Sequence, residues 1–331
     1  MKNSDSNGAN INSSGGISMN HLWQQNASIL SLAAVLIALV AVGTLVSSSF
    51  FSLENFKVIL LAVAGTTVVA LGMTLVIISG EIDLSVAGTA VLSGIVGATL
   101  FDTGSAFVVV SAVLAVGLLL GFLNGLLVVW IGIPSLIATL AMLGIARALA
   151  NTVSSGQAAY PDNLPGYLWL GRGEVWGVPV PILTLLLAAI LAIILTRYTA
   201  FGVKLYATGG NAAAATLSGI RTGQVKVVTF MICGVLAAVA GILESARLSY
   251  INPAAYPGME LRVLAITVLG GAALAGGSGT ILGTLLAAMI IGVINSLLNQ
   301  LGVSIYLQQV VTALIILAVV VPGIRQRQVA K

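Results

Sequence analysis

Arg197-Tyr-Thr-Ala-Phe-Gly-Val-Lys-Leu-Tyr-Ala-Thr-Gly-Gly-Asn-Ala-Ala-Ala-Ala-Thr-Leu-Ser-Gly-Ile-Arg-Thr-Gly-Gln-Val-Lys226 is the longest polar interruption in the second half of a very apolar chain. It carries Arg197, Lys204, Arg221 and Lys226 and no carboxylate. Apolar runs of spanning length flank it, and bases in such loops mark the cytoplasmic side of a membrane protein. Its middle predicts a short helix: Asn211 suits the N-cap, the alanine run favours helix, and Gly219 suits the end. Two readings stay open for it. One is an ordinary basic loop; the other is a structured element on which a soluble partner pushes.

Composition sets the solvent. The chain has 331 residues, 59% hydrophobic and 7% charged, against about 25% charged in soluble domains. A soluble chain of this kind would expose too much apolar surface, so lipid must surround it. The formal charge of +4 is small and gives no reason to expect nucleic-acid binding. Cys233 has no second cysteine to pair with, and His21 is the sole histidine. That excludes a zinc-type site and leaves no catalytic set for an enzyme inside the bilayer. The 38 glycines suit close packing of membrane helices.

The chain reads as an all-α polytopic membrane protein with about ten spans. Residues 1–27, rich in Asn, Ser and Gly, form a disordered cytoplasmic tail. The transmembrane domain covers 28–322, with 197–226 as its largest cytoplasmic loop, and 323–331 is a second cytoplasmic tail. Span one runs from Ser28 to about Val46 and is retained, since a signal peptide has a shorter apolar core. Further spans cover about 57–79, 84–101, 107–130, 134–153 and 179–196, and then 227–248, 261–274, 279–298 and 305–321. Prolines open the fifth (Pro134) and the sixth (Pro179 and Pro181). The eighth is short and bounded by glycine, so it predicts a broken or tilted helix. With a cytoplasmic amino terminus, ten spans put the basic loop and the tail bases Arg325, Arg327 and Lys331 on one side.

Some residues are costly where they stand. Ser79-Gly-Glu-Ile-Asp-Leu-Ser-Val86 joins spans two and three with almost no room for a loop. A carboxylate at a helix centre costs roughly 2.5–3.5 kcal/mol on insertion scales. Glu81, Asp83 and Ser85 therefore belong either to a broken helix lining a translocation pathway, or to a tight turn in which Asp83 caps a helix from Leu84. A second glycine-rich break, Leu269 to Gly283, hints at an internal repeat. It lacks the Lys-Ser or Lys-Thr of a nucleotide loop. Gly117, Gly121 and Gly125 lie at four-residue spacing and invite a close helix, more simply one of the same chain. Asn124 beside them suits a bond across helices. Asn295 and Asn299 suit either a polar substrate or helix joining. Glu244 and Arg247 predict an i,i+3 pair, and Arg147 has no obvious local partner, which suits snorkelling.

These segments resemble a known family. Gly72-Met-Thr-Leu-Val-Ile-Ile-Ser-Gly-Glu-Ile-Asp-Leu-Ser-Val86 is similar to a signature of permease subunits in ribose-type sugar ABC importers, of the branched-chain amino acid and sugar permease superfamily. So are Gly132-Ile-Pro-Ser-Leu-Ile-Ala-Thr-Leu140 with Arg147, Ala207-Thr-Gly-Gly-Asn-Ala-Ala-Ala-Ala-Thr-Leu-Ser-Gly-Ile220, Val268 to Thr280, and Gln308-Gln-Val-Val311. The usual glycine before Ile-Asp-Leu-Ser is Glu81 here, which leaves the substrate open.

The resemblance implies a non-enzymatic subunit of the inner membrane with both termini cytoplasmic. ABC ATPase subunits would bind ATP and Mg, so no cofactor is expected in this chain. A second permease copy, identical or related, and an external sugar-binding protein would complete the assembly. Gly209, Gly210, Asn211, Ala214, Gly219 and Ile220 would couple to the ATPase, and Glu81, Asp83, Ser85, Asn124 and Asn295 would line the pathway. The loop at 154–178 would offer one docking surface to the binding protein. On this reading Gly209→Glu or Asn211→Trp abolishes coupled transport while the protein still inserts. A branched-chain amino-acid ABC permease and an ion-coupled secondary transporter, with Glu81 and Asp83 as its ion site, are the alternatives.

Overall fold

The computed structural model describes residues 19–47, 49–162 and 164–304, together with 307, 308, 310, 311, 313 and 314. The described residues form α1 (Met19–Val46), α2 (Leu53–Ile78), α3 (Val86–Ala98), a 3₁₀ turn (Phe101–Thr103), α4 (Ala106–Val129), α5 (Ser135–Ser154) and α6 (Pro165–Arg172). A hairpin of β1 (Glu174–Val175) and β2 (Val178–Pro179) leads to α7 (Val180–Arg197), α8 (Ala200–Gly210) and α9 (Ala212–Leu217). The chain continues through α10 (Thr222–Leu248), α11 (Met259–Leu269) and α12 (Ile281–Gln300).

Seven of these helices are long and apolar enough to cross a membrane: α1 from Ile29, α2, α4, α5, α7, α10 and α12. The all-α membrane bundle is as expected, and seven of the ten expected spans are matched by helices of spanning length among the described residues. At 13 and 11 residues, α3 and α11 fall short of the roughly 20 residues a span needs. The segment expected as the tenth span lies largely outside the described residues, as do 323–331. In addition, α1 reaches back to Met19, ahead of the apolar run, so the helix includes part of the segment read as a tail.

Helix ends follow local chemistry. Ser52 caps α2 by accepting from the Asn55 N–H at 3.1 Å. Thr280 caps α12 by accepting from the Gly283 N–H at 3.0 Å. Both satisfy amides that a helix start leaves unpaired. Pro134 sits just before Ser135 as the N-cap of α5.

Helices α2 and α10 are the axis of the bundle. Most of α2 is buried, and α10, α12, α11 and α7 all pack on it. On the other flank, α4 approaches α10 closely enough to need glycine. A methyl at Gly117 would lie 2.5 Å from the Gly234 carbonyl oxygen, and one at Gly121 would lie 2.3 Å from that of Phe230. The glycine face of α4 is thus spent inside the chain, as anticipated. The expected pair of Glu244 and Arg247 forms at 2.6 Å. Arg147 does find partners, donating to the carbonyls of Ala255 and Tyr256, each at 3.3 Å.

Around α6, Tyr167 is buried and its hydroxyl lies 2.6 Å from that of Ser245. Burial pushes the Tyr167 phenol up to about 12, so it keeps its proton at physiological pH. This contact moors α6 to α10. The β1–β2 hairpin that follows turns through Trp176 and Gly177, both with positive φ, the geometry of a type I′ turn. Trp176 stands at the tip, 99% exposed.

Candidate functional site

The motifs singled out in the sequence converge on one junction. Helix α2 ends at Ile78, Ser79 closes it, and Gly80 turns the chain with φ +89°. The Glu81 N–H still bonds back to the Val76 carbonyl at 3.1 Å, and Ile82 and Asp83 then run irregularly until the turn at Leu84 and Ser85 leads into α3. Buried irregular backbone needs hydrogen-bond partners from the protein, and the first turns of α5 supply them. The Ile82 N–H donates to Ser135 Oγ at 3.2 Å, and the Leu84 N–H to Thr139 Oγ1 at 3.1 Å. Ser135 and Thr139 belong to the Gly132–Leu140 segment, so two separate sequence signals describe one contact.

The glycine-rich segments close on the same point. The Gly277 N–H donates to the Ile78 carbonyl at 2.9 Å. A Cβ at Gly209 would collide with that carbonyl and lie 2.5 Å from the Gly277 nitrogen, and one at Gly276 would lie 2.8 Å from both the Gly80 Cα and the Gly209 oxygen. The break after α2, the end of α8 and the break after α11 therefore meet backbone to backbone. Tyr206 of α8 adds a hydrogen bond to the Gly279 carbonyl at 2.9 Å.

From this junction α9 projects. The Asn211 side chain accepts from the Ala214 N–H at 3.0 Å, and Gly219 turns the chain with φ +80°, as the residues predicted. Gly210, Asn211, Ala214 and Gly219 are exposed, and Ile220 is half-buried. Gly209 differs from them, because it is locked in the junction. Two features escaped sequence reasoning. The preceding residues form a helix of their own, α8, with Gly202, Leu205 and Thr208 buried on one face. Leu217 stands on α9 with 91% of its surface exposed; a single leucine among small residues was its signal.

The five pathway candidates separate into three places. Asp83, Ser85 and Asn124 come together, each at most 1% exposed. The Ser85 hydroxyl and N–H both donate to Asp83 Oδ1, at 2.6 and 2.9 Å. Asn124 Nδ2 donates to Ser85 Oγ at 2.7 Å, making the expected link across helices. Its amide oxygen has no hydrogen-bond partner. The capping reading of Asp83 fits this arrangement: Leu84 and Ser85 form a turn that leads into α3, and Asp83 accepts the Ser85 N–H at the helix start.

Glu81 lies apart, in an ion pair with Lys226 of α10 at 2.5 Å. Asn295 is elsewhere again, lining a cavity of about 100 Å³ with Thr66, Arg262, Ser296 and Asn299. That cavity lies between α2, α11 and α12, near the ends remote from the glycine junction.

Spanning helices interrupted by buried irregular segments, with a capped helix projecting from one end, define a membrane permease. Residues 55–320 match the family described as branched-chain amino acid transport system / permease component, and the chain belongs to it. It is similar to the ribose import permease protein RbsC of Escherichia coli, with 40% identity over 294 residues, 88% of this chain and 91% of the relative. The protein of the same name from Bacillus subtilis is 38% identical over 295 residues, covering 86% and 89%. The autoinducer 2 import system permease protein LsrC of Escherichia coli is 34% identical over 301 residues, covering 90% and 87%. No solved structure matches.

Proposed function

We propose that the chain is the permease subunit of an ATP-driven importer of the ABC class, carrying a monosaccharide of the ribose type across a bacterial inner membrane. The observation that carries this reading is α9: a capped helix, exposed, apolar at Leu217, and rooted where both broken segments meet. A push on α9 reaches the ends of α2 and α11 through backbone contacts rather than through flexible side chains. Such a rigid connection between an external surface and two discontinuous helices is what alternating access requires. The relatives' names, with identities of 34–40%, favour a sugar or sugar-like solute over a branched-chain amino acid.

On this reading the base-rich end, with α8 and α9, faces the cytoplasm, as do both termini. ABC ATPase subunits dock on α9 and bind ATP and Mg, a second permease completes the membrane portion, and a sugar-binding protein docks outside. Asp83, Ser85, Asn124 and Asn295 are the groups offered to the sugar's hydroxyls.

The reading is tested by co-purification in mild detergent and by uptake into vesicles. An ATP-binding-cassette subunit should co-purify with the tagged chain, and ribose uptake should need ATP. Leu217→Asp puts a charge in the docking surface and should lower ATPase recovery about tenfold, with insertion unchanged. Uptake driven by an ion gradient with no ATPase would replace this reading with the secondary transporter. Trp176→Ser at the hairpin tip should weaken stimulation by the binding protein about tenfold and leave ATPase recovery alone. Equal stimulation of both proteins would remove the hairpin from the docking surface.

A further inference from the structure

We propose a binding site for an anionic phospholipid in the groove between the end of α4, the start of α10 and α8. Two cavities adjoin there, of about 360 and 500 Å³, and Arg221, Gln224 and Val228 line both. The larger is walled by Phe122 and Leu126 of α4, and by Trp130 at its C-cap, against Val227. The smaller is reached past Arg221 and holds Lys204 and Phe201 of α8. The groove thus runs from the last turns of a spanning helix to the polar segment beyond it. Trp130, 80% exposed at the end of α4, has the side chain favoured at membrane–water boundaries.

The charges select the ligand. Among the described residues the ion pairs are Glu81–Lys226 and Glu244–Arg247, so Arg221 and Lys204 face the groove without a carboxylate. A phosphate between them and an acyl chain along Phe122 and Leu126 would satisfy both halves of the site. A water-soluble subunit can reach the bases but not the α4 wall, which belongs to a span. A free anion would leave the apolar half empty.

The test is native mass spectrometry of the full chain in detergent, titrated with phosphatidylglycerol or phosphatidylcholine. Phosphatidylglycerol should be retained about tenfold better. The double variant Lys204→Gln/Arg221→Gln should lose that preference, and Leu126→Trp, which fills the apolar half without changing charge, should lower retention of both lipids. Thermal melting of each variant separates lost binding from lost folding, and Leu126→Trp carries the test if the double variant does not fold. Equal retention of the two lipids, or an unchanged preference in the double variant, overturns the site. Displacement of the lipid by excess inorganic phosphate would assign a free anion instead. A disulfide-linked dimer formed through Leu126→Cys would assign the groove to a second copy, since the native Cys233 is buried.

Discussion

Gly209→Val should prevent the permease from accumulating in folded form, whereas Gly210→Ala beside it should accumulate and melt like the parent. The contrast follows from what each side chain would meet. At Gly209 even a methyl collides with the Ile78 carbonyl oxygen and presses on the Gly277 nitrogen. Neither atom can turn aside as a side chain does, because the Gly277 N–H donates to that same carbonyl. Overpacking typically costs roughly 1–3 kcal/mol where side chains can adjust; here only backbone can move, so the cost lies at or above that range. At Gly210 a Cβ would point into open space.

Gel filtration of fluorescent fusions and melting curves in detergent would read the difference, with Gly209→Ala falling between the two. Wild-type melting of Gly209→Ala would show that the junction yields, and the rigid link from α9 to the broken helices would fall with it. The same geometry alters one expectation. Gly209→Glu does not isolate coupling from folding, and Asn211→Trp is the cleaner probe, since Asn211 is exposed and its loss removes a cap worth about 1 kcal/mol.

What the sequence made legible depended on how local the signal was. The capped helix at Asn211, the glycine face of α4 and the Glu244–Arg247 pair each follow from spacing within a single element. The convergence of Ile78, Gly209 and Gly277 joins residues far apart in the chain, and nothing in a single sequence measures that distance. Both glycine-rich breaks were visible; their contact with each other was not. Hydropathy located the apolar runs but not the lengths of their helices: α3 is apolar throughout yet stops at 13 residues, which is set by the backbone break before it and not by composition. One criterion, polarity in apolar surroundings, marks the pathway candidates. That criterion cannot separate the Asp83–Ser85–Asn124 cluster from Asn295 or from the Glu81 ion pair.

Reversing the charge of Lys226 should be the most damaging single change outside the glycine junction. Lys226→Glu would face Glu81 with a second carboxylate where an ammonium now pairs with it. Like charges about 4 Å apart at a protein surface repel by about 4 kcal/mol before relaxation. Neutralising one partner is milder. The side chains are 13% exposed at Glu81 and 24% at Lys226, between a surface pair worth about 0–1 kcal/mol and a buried one whose breakage costs roughly 3–5. Glu81→Gln or Lys226→Gln should therefore each cost on the order of 2 kcal/mol. The double variant Glu81→Gln/Lys226→Gln should cost less than the two singles added together, because it leaves no unpaired charge.

In the proposed transport cycle the pair would have a second role. Glu81 lies in the break after α2, and Lys226 lies one turn into α10, just beyond α9. It ties the broken segment to the helix that follows α9, next to the glycine junction. If that tie matters only for stability, the swapped protein Glu81→Lys/Lys226→Glu regains both melting temperature and transport. If the tie also sets the order of movement, the swap regains melting but transports slowly, since the lysine would then sit in the break beside the Gly80 turn. Indistinguishable melting and transport across the single and double variants would reduce the pair to a passive contact.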